Sequence, residues 1–156
     1  GEKYLLKQLN EIRDDVRKVP SMAGLLDGMT EQDLADIAAY YEVLGKDSAP
    51  AVPEKAADAT GKVAELVAKG ACTSCHGANL NKPMVPGYPK IAGQYKDYVY
   101  MELKSYKSEN QATWGRNNGV MGGIAKQFTL AELKELAAYV NQQQGELQTL
   151  PQSKFR

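Results

Sequence analysis

Both cysteines and the single histidine of this 156-residue chain lie within five consecutive positions, in the stretch CTSCH formed by Cys72, Cys75 and His76. Two thiols separated by two residues and followed at once by an imidazole have the spacing of c-type haem attachment. On one helical turn, the two sulfurs can reach the two vinyl groups of one porphyrin edge, and the adjacent imidazole then lies under the iron. The motif therefore predicts a covalently attached haem.

Three other chemistries use a pair of nearby cysteines. A thioredoxin-like redox pair is expected beside a βαβ pattern, which the sequence lacks. A zinc site needs about four nitrogen or sulfur ligands, whereas the chain has two cysteines and one histidine in all. A structural disulfide would leave His76 unexplained. Haem attachment is the favoured interpretation, and the disulfide and the redox pair remain the alternatives.

A haem iron bound by His76 needs a sixth ligand or an open position. No second histidine exists, so a methionine thioether is the natural candidate, and Met84, Met101 and Met121 follow the motif. Met101 falls within a predicted helix, where filling space is the usual role of methionine. Met84 follows the histidine too closely to pass round the porphyrin edge with ease. We therefore predict Met121, which precedes a flexible Gly-Gly pair in a loop between two helices.

Other residues near the motif are candidates for orienting or bordering the haem. A ligand histidine usually donates its second ring N–H to a carbonyl, and Pro89 in YPKIAG supplies a carbonyl without a donor of its own. Alternatively, Pro89 only shapes a turn. Trp114 and Arg116 precede Met121 and could contact a haem propionate, although a solvated arginine is the more ordinary explanation.

Helical periodicity dominates the rest of the chain, and no alternating strand pattern is convincing, so the predicted class is all-α. The Ala-rich segment of residues 46–59 carries two prolines and is predicted to be an extended linker. The loop of residues 78–93 is rich in Pro and Gly, and a Gly- and Asn-rich loop that contains Met121 separates the last two predicted helices. The expected helices are Tyr4 to Val16, Thr30 to Leu44 with a Thr30 N-cap, Thr60 to Lys69, Tyr95 to Lys107, and one from Thr129.

The chain contains an internal repeat across this linker. The stretch from Met22 to Tyr40 matches the stretch from Met121 to Tyr139 at a constant offset of 99 residues, and both end in Ala-Ala-Tyr. Upstream, YLLKQLNEIR matches YVYMELKSYK at an offset of 94. Such self-similarity predicts that the two parts share one fold. The first copy contains no counterpart of CTSCH.

Charge and hydropathy exclude several classes of function. The chain has 19 basic and 19 acidic residues, and neither sign forms a run, so no nucleic-acid partner is predicted. No segment has the length of apolar residues that spans a bilayer. The N-terminus lacks the basic-then-apolar pattern of a signal peptide, so an exported protein would already have lost its leader.

With CTSCHG, PKIAGQ, the Met121 loop and the final helix in hand, the chain resembles class I cytochromes c, and among them the dihaem cytochrome c4 family. The resemblance covers nearly all of residues 60–145 and, in the first part, Tyr4 to Leu44. It implies a helical haem domain in residues 60–156, preceded by the linker of residues 46–59. Residues 1–45 would be the C-terminal half of a first domain with the same fold.

Carried over residue by residue, the resemblance implies thioether bonds from Cys72 and Cys75, with His76 and Met121 as axial ligands and the Pro89 carbonyl accepting from His76. In the first part only Met22 can be carried over, as the distal ligand of a second haem whose attachment half is missing. Either the chain was shortened or the first domain lost its haem. We favour shortening, because a domain without haem has little reason to keep a methionine loop so like its repeat.

The resemblance implies a periplasmic electron carrier that passes single electrons from a quinol-oxidising complex to a terminal oxidase or reductase. It leaves room for peripheral association with the membrane. A six-coordinate iron has no open position for a substrate, so the chain is expected to be an electron-transfer protein and not an enzyme. The alternatives are a haem enzyme for a small sulfur or peroxide substrate, or the cytochrome subunit of a larger dehydrogenase. In a further alternative, the first part is a haemless docking or dimerisation module.

Overall fold

The computed structural model describes residues 1–44, 49–108 and 114–146. Within these ranges it is mostly helical, which confirms the predicted all-α class. None of the helices in these ranges has both the length and the apolar character needed to cross a membrane. The elements are α1 (Glu2–Arg13), β1 (Arg17–Lys18), a 3₁₀ helix (Pro20–Met22), α2 (Glu31–Val43), α3 (Gly61–Lys69), α4 (Cys72–His76), α5 (Lys96–Lys107), β2 (Gly115–Arg116), α6 (Gly119–Ala125) and α7 (Leu130–Gln142).

Helices α2 and α7 begin in the same way. Thr30 and Thr129 are the N-caps, and each hydroxyl accepts the backbone N–H three residues later, from Asp33 and Glu132 respectively. The two carboxylates in turn accept the backbone N–H of their threonine, which completes a capping box in both helices. The predicted Thr30 cap is therefore confirmed, and equivalent residues start equivalent helices.

The interior lies mainly in the second part of the chain. There α7 packs against α5 and α3, and one cluster of buried side chains forms between these helices from Leu66, Phe128, Leu133 and Leu136. A second cluster lies under the loop that follows α4 and contains Ala56, Leu80, Ala92 and Val140. In the first part α1 packs against α2, as α5 does against α7, which agrees with the repeat.

Two local features differ from the prediction. The strands β1 and β2 form an antiparallel pair in which Arg17 is the partner of Arg116. No strand was expected, because two residues are too few to show an alternating pattern. Met121 was expected in a loop but lies in the short helix α6, whose first turn is capped by Asn118. Three of its seven residues are glycines, which lower the helix propensity, so the sequence did not predict a helix here.

The segment that was predicted to be a linker has no helix or strand from residue 49 to residue 59, and residues 46–48 lie outside the described part of the chain. It is not a free tether. Ala56 is buried in the core and its N–H donates to the carbonyl of Ala78. The N–H of Ala57 donates to Gln143 Oε1, and the carbonyl of Ala57 accepts from the Tyr139 hydroxyl. Residues 147–156, the end of the predicted haem domain, also lie outside the described residues.

Candidate functional site

One cavity brings together most of the residues that the sequence singled out. It lies between α4, the loop after it, α1, α5 and α6, and its walls are mainly apolar. The predicted site residues that line it are Cys72, Cys75, His76, Pro89, Arg116 and Met121.

The helix α4 consists of the CTSCH motif itself, and unusual backbone angles bound it on both sides. Ala71 at its N-cap has a φ of 47°, and Gly77 after it has a φ of 86°. A methyl group on Gly77 would overlap the backbone carbonyl of Lys82, so glycine is required there by both conformation and space. Cys72 and Cys75 are free thiols, and burial raises the pKa of the Cys72 thiol.

His76 is buried, and its Nδ1 lies 2.9 Å from the carbonyl oxygen of Pro89. A carbonyl can only accept, so Nδ1 carries the proton, and Nε2 of the neutral ring keeps its lone pair. Burial lowers the pKa of His76, while the hydrogen bond to Pro89 opposes this shift in part. A neutral imidazole with an oriented free Nε2 is the form that binds a metal.

The Pro89 carbonyl is held in place by the loop that follows it. The N–H groups of Ile91 and Ala92 both donate to the carbonyl of Leu80, at 2.8 and 3.0 Å. The N–H of Gly93 donates to the carbonyl of Val140 in α7 at 3.0 Å. The loop is thereby fixed to the core on both sides, and the acceptor for His76 is fixed with it.

Of the five methionines of the chain, all of which are described, Met121 alone lines the cavity. Its backbone N–H donates to Asn118 Oδ1 at 3.0 Å, so the cap of α6 also positions the methionine. Met84 and Met101 lie outside the cavity, and their side chains are 73% and 44% exposed. The structure therefore distinguishes Met121 from Met84 and Met101, the other two methionines considered as the sixth ligand.

One wall of the cavity is polar and is organised by Arg116. Its Nε lies 2.6 Å from Glu102 Oε2, and its Nη1 donates to the Tyr106 hydroxyl at 2.8 Å. Its Nη2 donates to the Tyr4 hydroxyl at 2.9 Å and to Gln8 Oε1 at 2.6 Å. Burial raises the pKa of Tyr106 to about 12, which the neighbouring guanidinium only partly opposes. Arg116 thus joins the first helix to the rest of the molecule.

The side chains present fit a haem. The cavity offers two free thiols and an unprotonated imidazole nitrogen at one place, and a thioether elsewhere on its lining. Its other walls are apolar, as a porphyrin ring requires, and the guanidinium of Arg116 suits carboxylate substituents. The apolar lining includes Leu80, Ile91, Val99, Leu103, Phe128 and Leu136.

Two predicted residues lie elsewhere. Trp114 lines a neighbouring groove, together with Asp15 and Ser105, and does not line the cavity that contains His76. Met22 ends the 3₁₀ helix and is half-buried, and it also lies outside that cavity. In the described residues no group of three or more His, Cys, Asp or Glu side chains is placed to hold a metal ion.

Sequence reasoning missed the polar wall and the cap of Met121. Asn118 could have been found as a capping residue before a Gly-rich stretch, because asparagine is a preferred N-cap. Tyr4 and Tyr98 are equivalent in the repeat, and that equivalence was a signal that the helices present the same side chains. Nothing in the sequence indicated that Tyr4 and Gln8 would reach Arg116, which is more than 100 positions away.

Comparisons with known proteins identify a family and several relatives of this chain. The family model described as Cytochrome c matches residues 61–144. Cytochrome c4 of Pseudomonas aeruginosa is 33% identical over 145 residues, which is 90% of this chain and 71% of that protein. The crystal structure of reduced recombinant cytochrome c4 from Pseudomonas stutzeri superposes with a TM-score of 0.66 at 29% identity, over 92% of this chain and 81% of that one. A thiosulfate dehydrogenase electron acceptor of Stutzerimonas stutzeri is 26% identical over 87% of this chain and 64% of its own length.

Proposed function

The chain belongs to the cytochrome c family, and on this premise we propose that it carries single electrons between respiratory complexes of the periplasm. The donor would be a quinol-oxidising complex and the acceptor a terminal oxidase or reductase. The observation that carries the proposal is the cavity in which Cys72, Cys75, His76 and Met121 meet. A haem c bound there supplies a one-electron redox centre.

Each of these residues has a distinct role in the proposal. Cys72 and Cys75 would attach the group through their thiols, His76 would bind the iron through Nε2, and Met121 would supply the sixth ligand. The Pro89 carbonyl fixes the imidazole plane and increases its basicity through the hydrogen bond at Nδ1. With the iron held by both His76 and Met121, the site would transfer electrons without binding a substrate.

Arg116 is proposed to bind a carboxylate of the haem periphery. Its side chain is 8% exposed and lines the cavity. A buried guanidinium binds a carboxylate through charge-assisted hydrogen bonds. We do not extend this role to Trp114, which lines the neighbouring groove and not the cavity that contains His76.

Residues 1–45 are proposed to be the C-terminal half of a first cytochrome domain, joined by residues 46–59 to a complete domain in residues 60–156. The support is an exposed apolar surface in the first half. Tyr41 is 57% exposed, whereas Val140 at the equivalent position is 7% exposed. Leu25 is likewise exposed, at 61%. An attachment half with a second haem, for which Met22 would be the distal ligand, would cover this surface.

The haem content and the sixth ligand test the proposal together. The chain should be expressed with a c-type haem maturation system, and haem should be counted as the pyridine haemochrome. Wild-type protein in the reduced state should not bind carbon monoxide, whereas Met121→Ala should bind it readily. Met84→Ala is the matched control and should behave as the wild type does. Equal binding by wild type and Met121→Ala would overturn the proposal that the site is a closed electron carrier.

A second candidate function is supported by one of the relatives. The Stutzerimonas stutzeri protein is described as a thiosulfate dehydrogenase electron acceptor. On this alternative the chain would accept electrons from the oxidation of a sulfur compound, as a subunit or a direct partner of that enzyme. Mixing the oxidised, haem-loaded chain with a thiosulfate dehydrogenase and thiosulfate tests it. Reduction much faster than that by a quinol-oxidising complex would favour this alternative.

A further inference from the structure

Gln8 in α1 and Glu102 in α5 occupy the same position in the two copies of the repeat, at the offset of 94 that relates Tyr4 to Tyr98. Both side chains line the cavity that contains His76. The first copy therefore presents a neutral amide to the cavity at the position where the second copy presents a carboxylate.

Each of these two side chains lies between the same two guanidinium groups. Gln8 Oε1 accepts from Arg17 Nη1 at 2.8 Å and from Arg116 Nη2 at 2.6 Å. Glu102 Oε2 lies 2.6 Å from Arg116 Nε and 3.7 Å from Arg17 Nη2. The arginines are themselves repeat partners, at the offset of 99. The cluster thus has two positive groups and, between them, one carboxylate.

Solvent screens this cluster only weakly. The side chains of Arg116, Arg17 and Glu102 are 8%, 14% and 21% exposed. Charges in such surroundings interact over longer distances than surface charges do. The second carboxylate near the cluster, Glu11, accepts from the amide of Gln8 at 2.7 Å and pairs with Lys7, whose side chain is 43% exposed. Solvent therefore screens that pair more strongly than it screens Glu102 and the arginines.

We propose, on the basis of the electron-carrier function above, that Glu102 is the residue of this cluster that lowers the reduction potential of the haem held by Cys72 and Cys75. Oxidation adds one positive charge to the site, and a nearby carboxylate stabilises that charge. Glu102 also holds the guanidinium of Arg116 by an ion pair, so its loss would leave the positive charge of Arg116 uncompensated beside the cavity. Loss of Glu102 would raise the reduction potential through both effects. Gln8, which is uncharged, contributes neither.

The test is a spectroelectrochemical titration of the haem-loaded chain and of two opposite variants. Glu102→Gln should shift the midpoint potential upward. Gln8→Glu places a second carboxylate in the equivalent position and should shift the potential downward. Glu135→Gln is the matched control, because Glu135 forms an exposed pair with Lys62 away from the cavity, and it should leave the potential unchanged.

The outcomes separate this inference from the proposed function. If both variants keep the wild-type haem spectrum but neither shifts the potential beyond the Glu135→Gln control, the role of Glu102 is overturned. The same holds if the two shifts have the same sign. Should Glu102→Gln fail to fold, the midpoint potential of Gln8→Glu decides the inference. A downward shift supports control of the potential by charge at these two equivalent positions, and an unchanged potential overturns it. A wild-type chain that attaches no haem overturns the proposed function instead.

Discussion

Arg17 lies directly opposite Arg116 in the antiparallel pair of β1 and β2, and each guanidinium donates to the tyrosine of the other repeat copy. Arg17 Nη2 donates to the Tyr98 hydroxyl at 3.0 Å, and Arg116 Nη2 donates to the Tyr4 hydroxyl at 2.9 Å. Arg17 and Arg116 are repeat partners, as are Tyr4 and Tyr98. The contacts of the two arginines are therefore reciprocal, which gives this junction an approximate two-fold relationship.

The arginines should contribute unequally to stability. Arg116→Ala removes one partner of a largely buried pair with Glu102 and should lower the free energy of unfolding by about 3 kcal/mol. Arg17→Ala removes a longer contact to Glu102 and two hydrogen bonds, to Gln8 and Tyr98, and should cost about 2 kcal/mol. Urea denaturation of the haem-loaded variants measures both. Equal losses would show that the two-fold relationship extends to the energetics.

Gly77→Ala should be strongly destabilising. The residue has a φ of 86°, and the added methyl group would overlap the Lys82 carbonyl. We expect a loss of about 2 kcal/mol or more in the free energy of unfolding, together with a lower yield of haem attachment. Gly87→Ala is the control, since nothing lies within 4 Å of a methyl group placed there. A wild-type melting temperature for Gly77→Ala would contradict the geometry of α4.

The Glu132 carboxylate in the cap of α7 should contribute to stability only above acidic pH. The hydrogen bonds from the Thr129 backbone and hydroxyl lower the pKa of Glu132 from its ordinary value of 4.5. A depressed folded-state pKa means that the carboxylate stabilises the fold above the unfolded-state pKa and loses this effect as the pH falls through the folded value. Glu132→Gln should therefore be less stable than wild type at pH 7, and the difference should shrink below pH ~4. Denaturant titrations at several pH values measure this.

An equal effect of Glu132→Gln at all pH values would show that the charge has no role in the cap. Asp33→Asn offers a matched comparison at the equivalent position, because the hydroxyl and backbone of Thr30 lower the pKa of Asp33 as well. Its stability should show the same dependence on pH.

Gln143 should hold the extended segment of residues 49–59 against α7. Its side chain is buried, accepts from the Ala57 N–H at 2.7 Å and donates to the Tyr139 carbonyl. Gln143→Ala leaves a partly buried N–H without a partner and should cost about 1–2 kcal/mol locally. Hydrogen exchange at Ala57 should accelerate roughly tenfold or more. Gln144→Ala, in which an exposed contact to Ala51 is lost, should have a smaller effect.

Much of this protein is determined locally and is therefore visible in the sequence. Cys72, Cys75 and His76 are neighbours on one helical turn, so their spacing alone indicates what they can attach. The caps at Thr30 and Thr129 depend on residues three positions away. The repeat indicates a shared fold because the same hydrophobic pattern buries the same face of a helix in each copy. Leu34 and Leu133, which are equivalent in the repeat, are both fully buried.

Other features depend on distant segments and were decided by the tertiary structure. Met84, Met101 and Met121 are chemically alike; position in the sequence favoured Met121, and packing shows that it lines the cavity whereas the other two do not. The contacts from Arg116 to Tyr4 and Gln8 form because α1 packs beside the cavity, and no local pattern specifies that arrangement. The placement of Glu102 between two arginines arises in the same way. Local sequence thus determined the reactive groups, whereas long-range packing determined the charges that surround them.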